Sequence, residues 1–157
     1  MSESKLDPRG VIVTCRSCQA RNRLAYDKLS EQNRCGQCKS TLPSPDEPID
    51  VRSENEFYAA TKQSALPTLV DFWAPWCPPC RRLAPEIERV AAANAGHFLV
   101  VKANTQDHPG LANAFKVMSI PALAIIYQGR VVGRTEGARP AADIQRFIDQ
   151  TLASASP

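Results

Sequence analysis

Val70-Asp71-Phe72-Trp73-Ala74-Pro75-Trp76-Cys77-Pro78-Pro79-Cys80 sets a short apolar run directly before two cysteines spaced as CxxC. The run from Thr68 to Trp73 is β-branched and aromatic and carries one charge, Asp71. It is too short and too continuous for a surface helix, so it predicts a buried central strand. Beyond Cys77, Leu83, Ile87, Val90 and Ala91 recur at helical spacing, and Pro78 and Pro79 suit a first helical turn, where no amide is needed. Pro85 is expected to kink that helix. Cys77 therefore falls where a strand hands over to a helix N-terminus. The partial positive charge and free amides there favour a thiolate, which makes Cys77 the candidate nucleophile. One turn on, Cys80 is expected to be the more shielded sulfur and the resolving thiol. Asp71, beneath the pair with its pKa raised by burial, is the candidate proton acceptor for Cys80. The alternative for Asp71 is a carboxylate paired with Lys102 that serves stability alone.

On either side of this stretch the pattern alternates. Ile49 to Val51 can open a strand, and Ser53 with Glu56 three residues later forms a capping box before a helix reaching about Lys62. Phe98 to Ala103 reads as a second buried strand, Pro109 to Phe115 as a helix, and Ala122 to Tyr127 as a third apolar strand. Gln128-Gly129 is a hairpin turn into an edge strand from Arg130 to Glu136. A closing helix from Ala141 to Leu152 places Ile144, Phe147, Ile148 and Leu152 on one face. The order β, α, β, α, β, α, β, β, α predicts an α/β fold, a mixed central sheet flanked by helices on both faces.

The first 42 residues differ in character. They hold eight Lys/Arg against four Asp/Glu, while the whole chain carries a net charge of only +3. Leu42-Pro43-Ser44-Pro45-Asp46-Glu47-Pro48 bars helix and central strand alike, so the chain is divided into 10–42, a linker at 43–48, and 49–155. All six cysteines lie in CxxC pairs. Cys15/Cys18 and Cys35/Cys38 are sixteen residues apart, the spacing of a four-thiolate zinc ribbon. Gly36 is expected to supply backbone freedom in the second knuckle. So small a unit has too little interior to fold on burial alone, and a closed four-sulfur site leaves no position for substrate; both points favour one structural Zn²⁺. Two disulfides or free thiols are the alternative reading. Cys77 and Cys80 have no fourth pair to complete a second metal site, which points to redox chemistry instead.

Arg16, Arg21, Arg23, Lys28, Arg34 and Lys39 surround the first four cysteines. With Tyr26 as the one aromatic available for stacking, a solvated basic face is favoured over a nucleic-acid surface. No apolar stretch has the length of a signal peptide or a membrane span, which leads to the expectation of a cytoplasmic protein with no membrane partner. His97 and His108 are expected in surface loops, and Trp73 in the core.

The residues from Val70 to Cys80, with Pro85, Lys102, Ile120-Pro121, Gly129 and Gly137, resemble the thioredoxin family from about residue 48 onward. With the N-terminal cysteines, the chain looks like the zinc-carrying bacterial thioredoxin 2 type. The resemblance implies a thioredoxin fold and protein-disulfide reductase activity without an organic cofactor. It places Lys102 with Asp71, Cys77 and Cys80 in the catalytic group, makes Pro121 a cis-proline, and lines a groove for client proteins with Trp76, Ile120, Pro121, Gly137 and Ala138. Ile120 would offer backbone hydrogen bonds to the client strand. A thioredoxin reductase would recycle the pair, and a monomer is expected. Pro78 stands where the family usually has Gly, which removes an amide near Cys77 and bears on redox potential. Glu136 stands where an apolar groove residue is usual; it either alters target choice or is a solvated edge charge. The rival readings are a disulfide oxidase or isomerase, and a non-enzymatic zinc-ribbon adaptor.

Overall fold

The computed structural model describes residues 4–155. Its N-terminal part is an antiparallel sheet of β1 (Lys5–Asp7), β2 (Gly10–Thr14) and β3 (Arg21–Ala25), paired in chain order. The Asp7 carboxylate closes the first turn by accepting from the amides of Arg9 at 2.7 Å and Gly10 at 2.8 Å. Gly10 leaves no room for a side chain, since a Cβ there would stand 2.2 Å from the carbonyl oxygen of Leu24.

The second sheet has the order β4 (Ile49–Asp50), β6 (Leu99–Asn104), β5 (Thr68–Trp73), β7 (Ala122–Tyr127), β8 (Arg130–Glu136). At its centre, β5 runs parallel to β6 and antiparallel to β7. The two β-α-β crossovers pass through α1 (Glu54–Gln63) and α2 (Pro78–Ala93), and α3 (Pro109–Ala114) leads into β7. Gln128 (φ 51°) and Gly129 (φ 82°) both adopt the left-handed region between β7 and β8, as a two-residue hairpin turn matching the strand twist requires. α4 (Ala141–Ala155) closes the order expected from the sequence.

Period-two alternation sorts the strand residues between two helical layers. Leu69, Val100, Leu123 and Ile125 pack with Leu83, Ile87, Val90 and Ala91 of α2 and Ile144 and Ile148 of α4. Val70, Phe72, Val101, Ala122 and Ala124 face Phe57 and Ala60 of α1 and Leu111 of α3. With apolar residues needed on both faces, β5 reads as a continuous run. Asp71 and its register partner Lys102 share the parity of Leu69 and Val100, so both belong to the α2 side. α2 continues unbroken through Pro85, which withholds the amide that Arg81 would otherwise receive. Ser53 caps α1 by accepting the Glu56 amide at 3.2 Å. The carboxylate of Glu56 turns to Arg52 instead of completing the box, taking its guanidinium at 3.1 Å.

The two sheets share one core. Leu6, Val11, Val13, Leu24, Tyr26 and Leu29 lie in the same buried cluster as Ile49, Val51, Phe57 and Ala60. Polar bonds fix the junction: Arg52 Nη2 donates to Leu6 O at 2.7 Å, Ala65 N to Tyr26 O at 2.9 Å, and Ser4 N to Glu47 Oε1 at 3.1 Å. Pro43 to Pro48 has neither helix nor strand, yet Pro45 is buried.

Candidate functional site

β5 ends at Trp73, whose carbonyl accepts from both the amide (2.8 Å) and the hydroxyl (3.0 Å) of Thr105. Ala74-Pro75-Trp76 then carries the chain to Cys77, the extended N-cap residue of α2 (φ −102°, ψ 106°). Pro78 and Pro79 occupy the first helical turn without amides, and the amide of Cys77 donates to Ala74 O at 3.3 Å. The Cys80 amide is thus the donor that the opening turn directs at sulfur, reaching Cys77 Sγ at 3.3 Å. The two cysteines are disulfide-bonded, with Cα atoms 5.3 Å apart. Both are 3% exposed, so shielding does not distinguish them as expected. Ile120 packs over this pair, with its carbonyl oxygen 3.9 Å from Cys77 Sγ, and so covers the outer sulfur too.

Asp71 is 1% exposed, and its Oδ1 has no hydrogen-bond partner. Desolvation pushes its pKa up to about 7, against a smaller opposing pull from the Lys102 charge. The alternative of an Asp71–Lys102 ion pair is not met: no such pair occurs among the described residues, and Lys102 Nζ instead lies over the Trp73 ring, 4.4 Å from its centroid. Trp73 is half-buried rather than fully in the core. His108 also departs from expectation. It is half-buried at the start of α3, with Nε2 3.0 Å from Val51 O, whereas His97 is exposed.

The loop before β7 forms the opposite wall. Ile120-Pro121 is a cis peptide, and Gly137, at φ +90°, donates its amide to Pro121 O at 2.9 Å. Gly137 and Ala138 are exposed and Ile120 is partly so. Trp76, 66% exposed, stands on the cysteine side, and Met118, 88% exposed, on the loop side. Sequence reasoning missed Met118 and Ser119. The Ser119 hydroxyl donates to Glu136 Oε2 at 2.7 Å, a contact between residues 17 apart that no local pattern announces.

The other four cysteines converge. Every pair of their sulfurs lies within 4.8 Å, with Cys15–Cys38 and Cys18–Cys35 each at 3.6 Å. Ligands on a tetrahedral Zn²⁺ with Zn–S near 2.3 Å sit about 3.8 Å apart, so the donor set and its spacing fit that ion. Two matching turns build it. The amides of Gln19 and Lys39 return to the carbonyls of Cys15 and Cys35, at 2.9 and 3.0 Å, and those of Cys15 and Cys35 reach Ala20 and Ser40, both at 2.8 Å. The left-handed residues are Gln19 (φ 66°) and Lys39 (φ 67°), one in each knuckle, which corrects the role expected for Gly36. The amide of Gly36 is instead held by Asn22 Oδ1 at 2.9 Å, while Asn22 Nδ2 donates to Cys35 Sγ at 3.4 Å. Donation from the Cys38 backbone, the Asn22 side chain and the Gln37 amide lowers the Cys35 pKa to about 6, whereas, against donation from the Ala20 backbone, burial and the three neighbouring sulfurs push that of Cys18 up to about 12.

Residues 48–150 match the family model described as Thioredoxin, and residues 14–40 the one described as Thioredoxin 2, N-terminal. Thioredoxin C-3 of Corynebacterium nephridii is 39% identical over 142 residues, which cover 90% of this chain and 96% of that protein. A thioredoxin of Haemophilus influenzae is 39% identical over 100 residues, 64% of this chain and 94% of its own. Among solved structures, a mutant thioredoxin from Halobacterium salinarum aligns with a TM-score of 0.63 at 30% identity, covering 69% of this chain and 93% of its own. Chloroplastic thioredoxin z aligns with a TM-score of 0.62 at 33% identity, over 68% and 96%. Among the described residues no helix is long and apolar enough to cross a membrane.

Proposed function

Because this chain belongs to the thioredoxin family of protein-disulfide reductases, we propose that it reduces client disulfides through the Cys77-Pro78-Pro79-Cys80 dithiol. The observation that carries this reading is the Cys80 amide aimed at Cys77 Sγ from a helix N-terminus. In the reduced protein that donor and the helix dipole hold Cys77 as a thiolate. The thiolate attacks one sulfur of the client disulfide, forming a mixed disulfide and expelling the other client sulfur as a thiolate that takes up a proton. Cys80 then attacks Cys77 Sγ, giving up its proton to Asp71, whose raised pKa lets it hold one near neutrality. The second client sulfur leaves as a thiolate and takes up a proton, and the Cys77–Cys80 disulfide keeps the two electrons' worth of oxidation. A thioredoxin reductase returns the pair to the dithiol. Lys102 tempers Asp71 electrostatically, while Trp76, Ile120, Pro121, Gly137 and Ala138 receive the client as an added strand.

The N-terminal unit, residues 10–42, holds one structural Zn²⁺ through Cys15, Cys18, Cys35 and Cys38 and is joined to residues 49–155 by 43–48. The ion supplies folding free energy and takes no part in electron transfer. The protein acts as a monomer in the cytoplasm.

Insulin reduction driven by dithiothreitol tests the reading. Cys77→Ser is expected to abolish turnover, and Cys80→Ser to accumulate a mixed disulfide. Undiminished turnover in Cys77→Ser would overturn the assignment.

A further inference from the structure

We propose that Glu136, held by Ser119, is a specificity-determining residue that favours clients with a Lys or Arg next to the reacting cysteine. Ser119 immediately precedes Ile120, whose carbonyl oxygen is 3.9 Å from Cys77 Sγ, and Glu136 immediately precedes Gly137, whose amide bonds Pro121 O. The 2.7 Å bond from Ser119 Oγ to Glu136 Oε2 therefore ties together the two backbone segments that flank cis-Pro121. It also takes an edge-strand carboxylate that would otherwise sample many rotamers and fixes it beside the groove. An extended client laid along Ile120 passes this carboxylate within one or two residues of its cysteine, since successive residues advance about 3.3 Å.

The carboxylate is available to a client. Glu136 is exposed, and no ion pair involves it among the described residues. Its nearest cationic neighbours in sequence donate to backbone carbonyls rather than to its carboxylate. Arg134 donates to Phe115 O and Lys116 O, and Arg139 Nη2 donates to Glu136 O at 3.1 Å. Trp76 and Met118, both largely exposed, add apolar surface to the rim. An oriented carboxylate beside these apolar surfaces attracts a cationic flanking side chain, whose stem packs on the aromatic and thioether surfaces. An acidic flanking residue is repelled by that carboxylate.

The inference rests on the disulfide-reductase reading. Its test uses the full-length, zinc-loaded protein and two disulfide peptides that differ only in Lys or Glu beside the cysteine, with kcat/KM measured for each. A partly exposed ion pair predicts a Lys-over-Glu preference of about two- to five-fold, shrinking as salt is raised. Glu136→Gln keeps an acceptor for Ser119 and should bring the ratio to about one, Glu136→Asp should keep it, and Ser119→Ala should reduce it. An unchanged ratio in Glu136→Gln, or no preference in the parent protein, overturns the inference while leaving the reductase reading intact. Failure of the parent to reduce either peptide, or insulin, overturns both.

Discussion

Replacing Asp71 by Asn removes a titration that the fold distorts, so its signature is a pH-dependent gain in stability. The carboxyl is 1% exposed, with one oxygen unpartnered, and its pKa stands at about 7 in the folded protein against 3.8 for the free group. Between those values the folded chain binds a proton that the unfolded chain has released, so stability falls as pH rises and levels off above the folded pKa. Asn cannot ionise and escapes that loss. The ionisation-linked difference between variant and parent grows from about 1.7 kcal/mol at pH 5 to about 4 kcal/mol at pH 8. Packing and hydrogen-bond changes in the amide add an offset that does not vary with pH. The increment of about 2.5 kcal/mol between pH 5 and pH 8 is therefore the diagnostic quantity. Urea unfolding of the oxidised, zinc-saturated proteins across that range measures it, since the ribbon is common to both and cancels. A difference that stays flat with pH, or that shrinks toward alkaline pH, would refute a desolvated carboxyl at position 71.

Gly10→Ala drives a Cβ to 2.2 Å from a β3 carbonyl oxygen, so the ribbon sheet must open; a loss of about 1–3 kcal/mol in denaturant titration is expected, and an unchanged midpoint would contradict the close approach. Stripping zinc with a chelator should free four additional thiols to a thiol reagent and also lower the melting temperature of the thioredoxin fold, because Leu6 and Tyr26 share its core. A melting temperature indifferent to metal would show that the two parts are energetically independent.

Much of this was legible before any coordinates. Strands buried on both faces leave continuous apolar runs, and Asp71 stands out inside one as the single charge in the run. The paired CxxC spacing announces the four-sulfur cluster, and Gln128-Gly129 the hairpin. What escaped depends on contacts between segments distant in sequence. β1 is three residues with one apolar side chain, Leu6, and nothing in Lys5-Leu6-Asp7 announces that Leu6 will pack with Phe57. Gly36 drew the expectation of a left-handed turn because glycine is permissive, yet the knuckle geometry falls the same way in both repeats and places Gln19 and Lys39 there. Equal burial of the two sulfurs follows from Ile120 closing over them, 43 residues away from Cys77. The Ser119–Glu136 bond has the same character: each residue taken alone reads as ordinary surface.

The joint core also bears on how the protein is made. Tyr26 and the ribbon strands are synthesised before Phe57 and Ala60 exist to cover them, with about 35 residues still to be added after Tyr26. At typical synthesis speeds that interval lasts about 2–7 s. Cys35 and Cys38 join Cys15 and Cys18 within this interval, so metal capture can organise the knuckles while their apolar flank still waits for its lid.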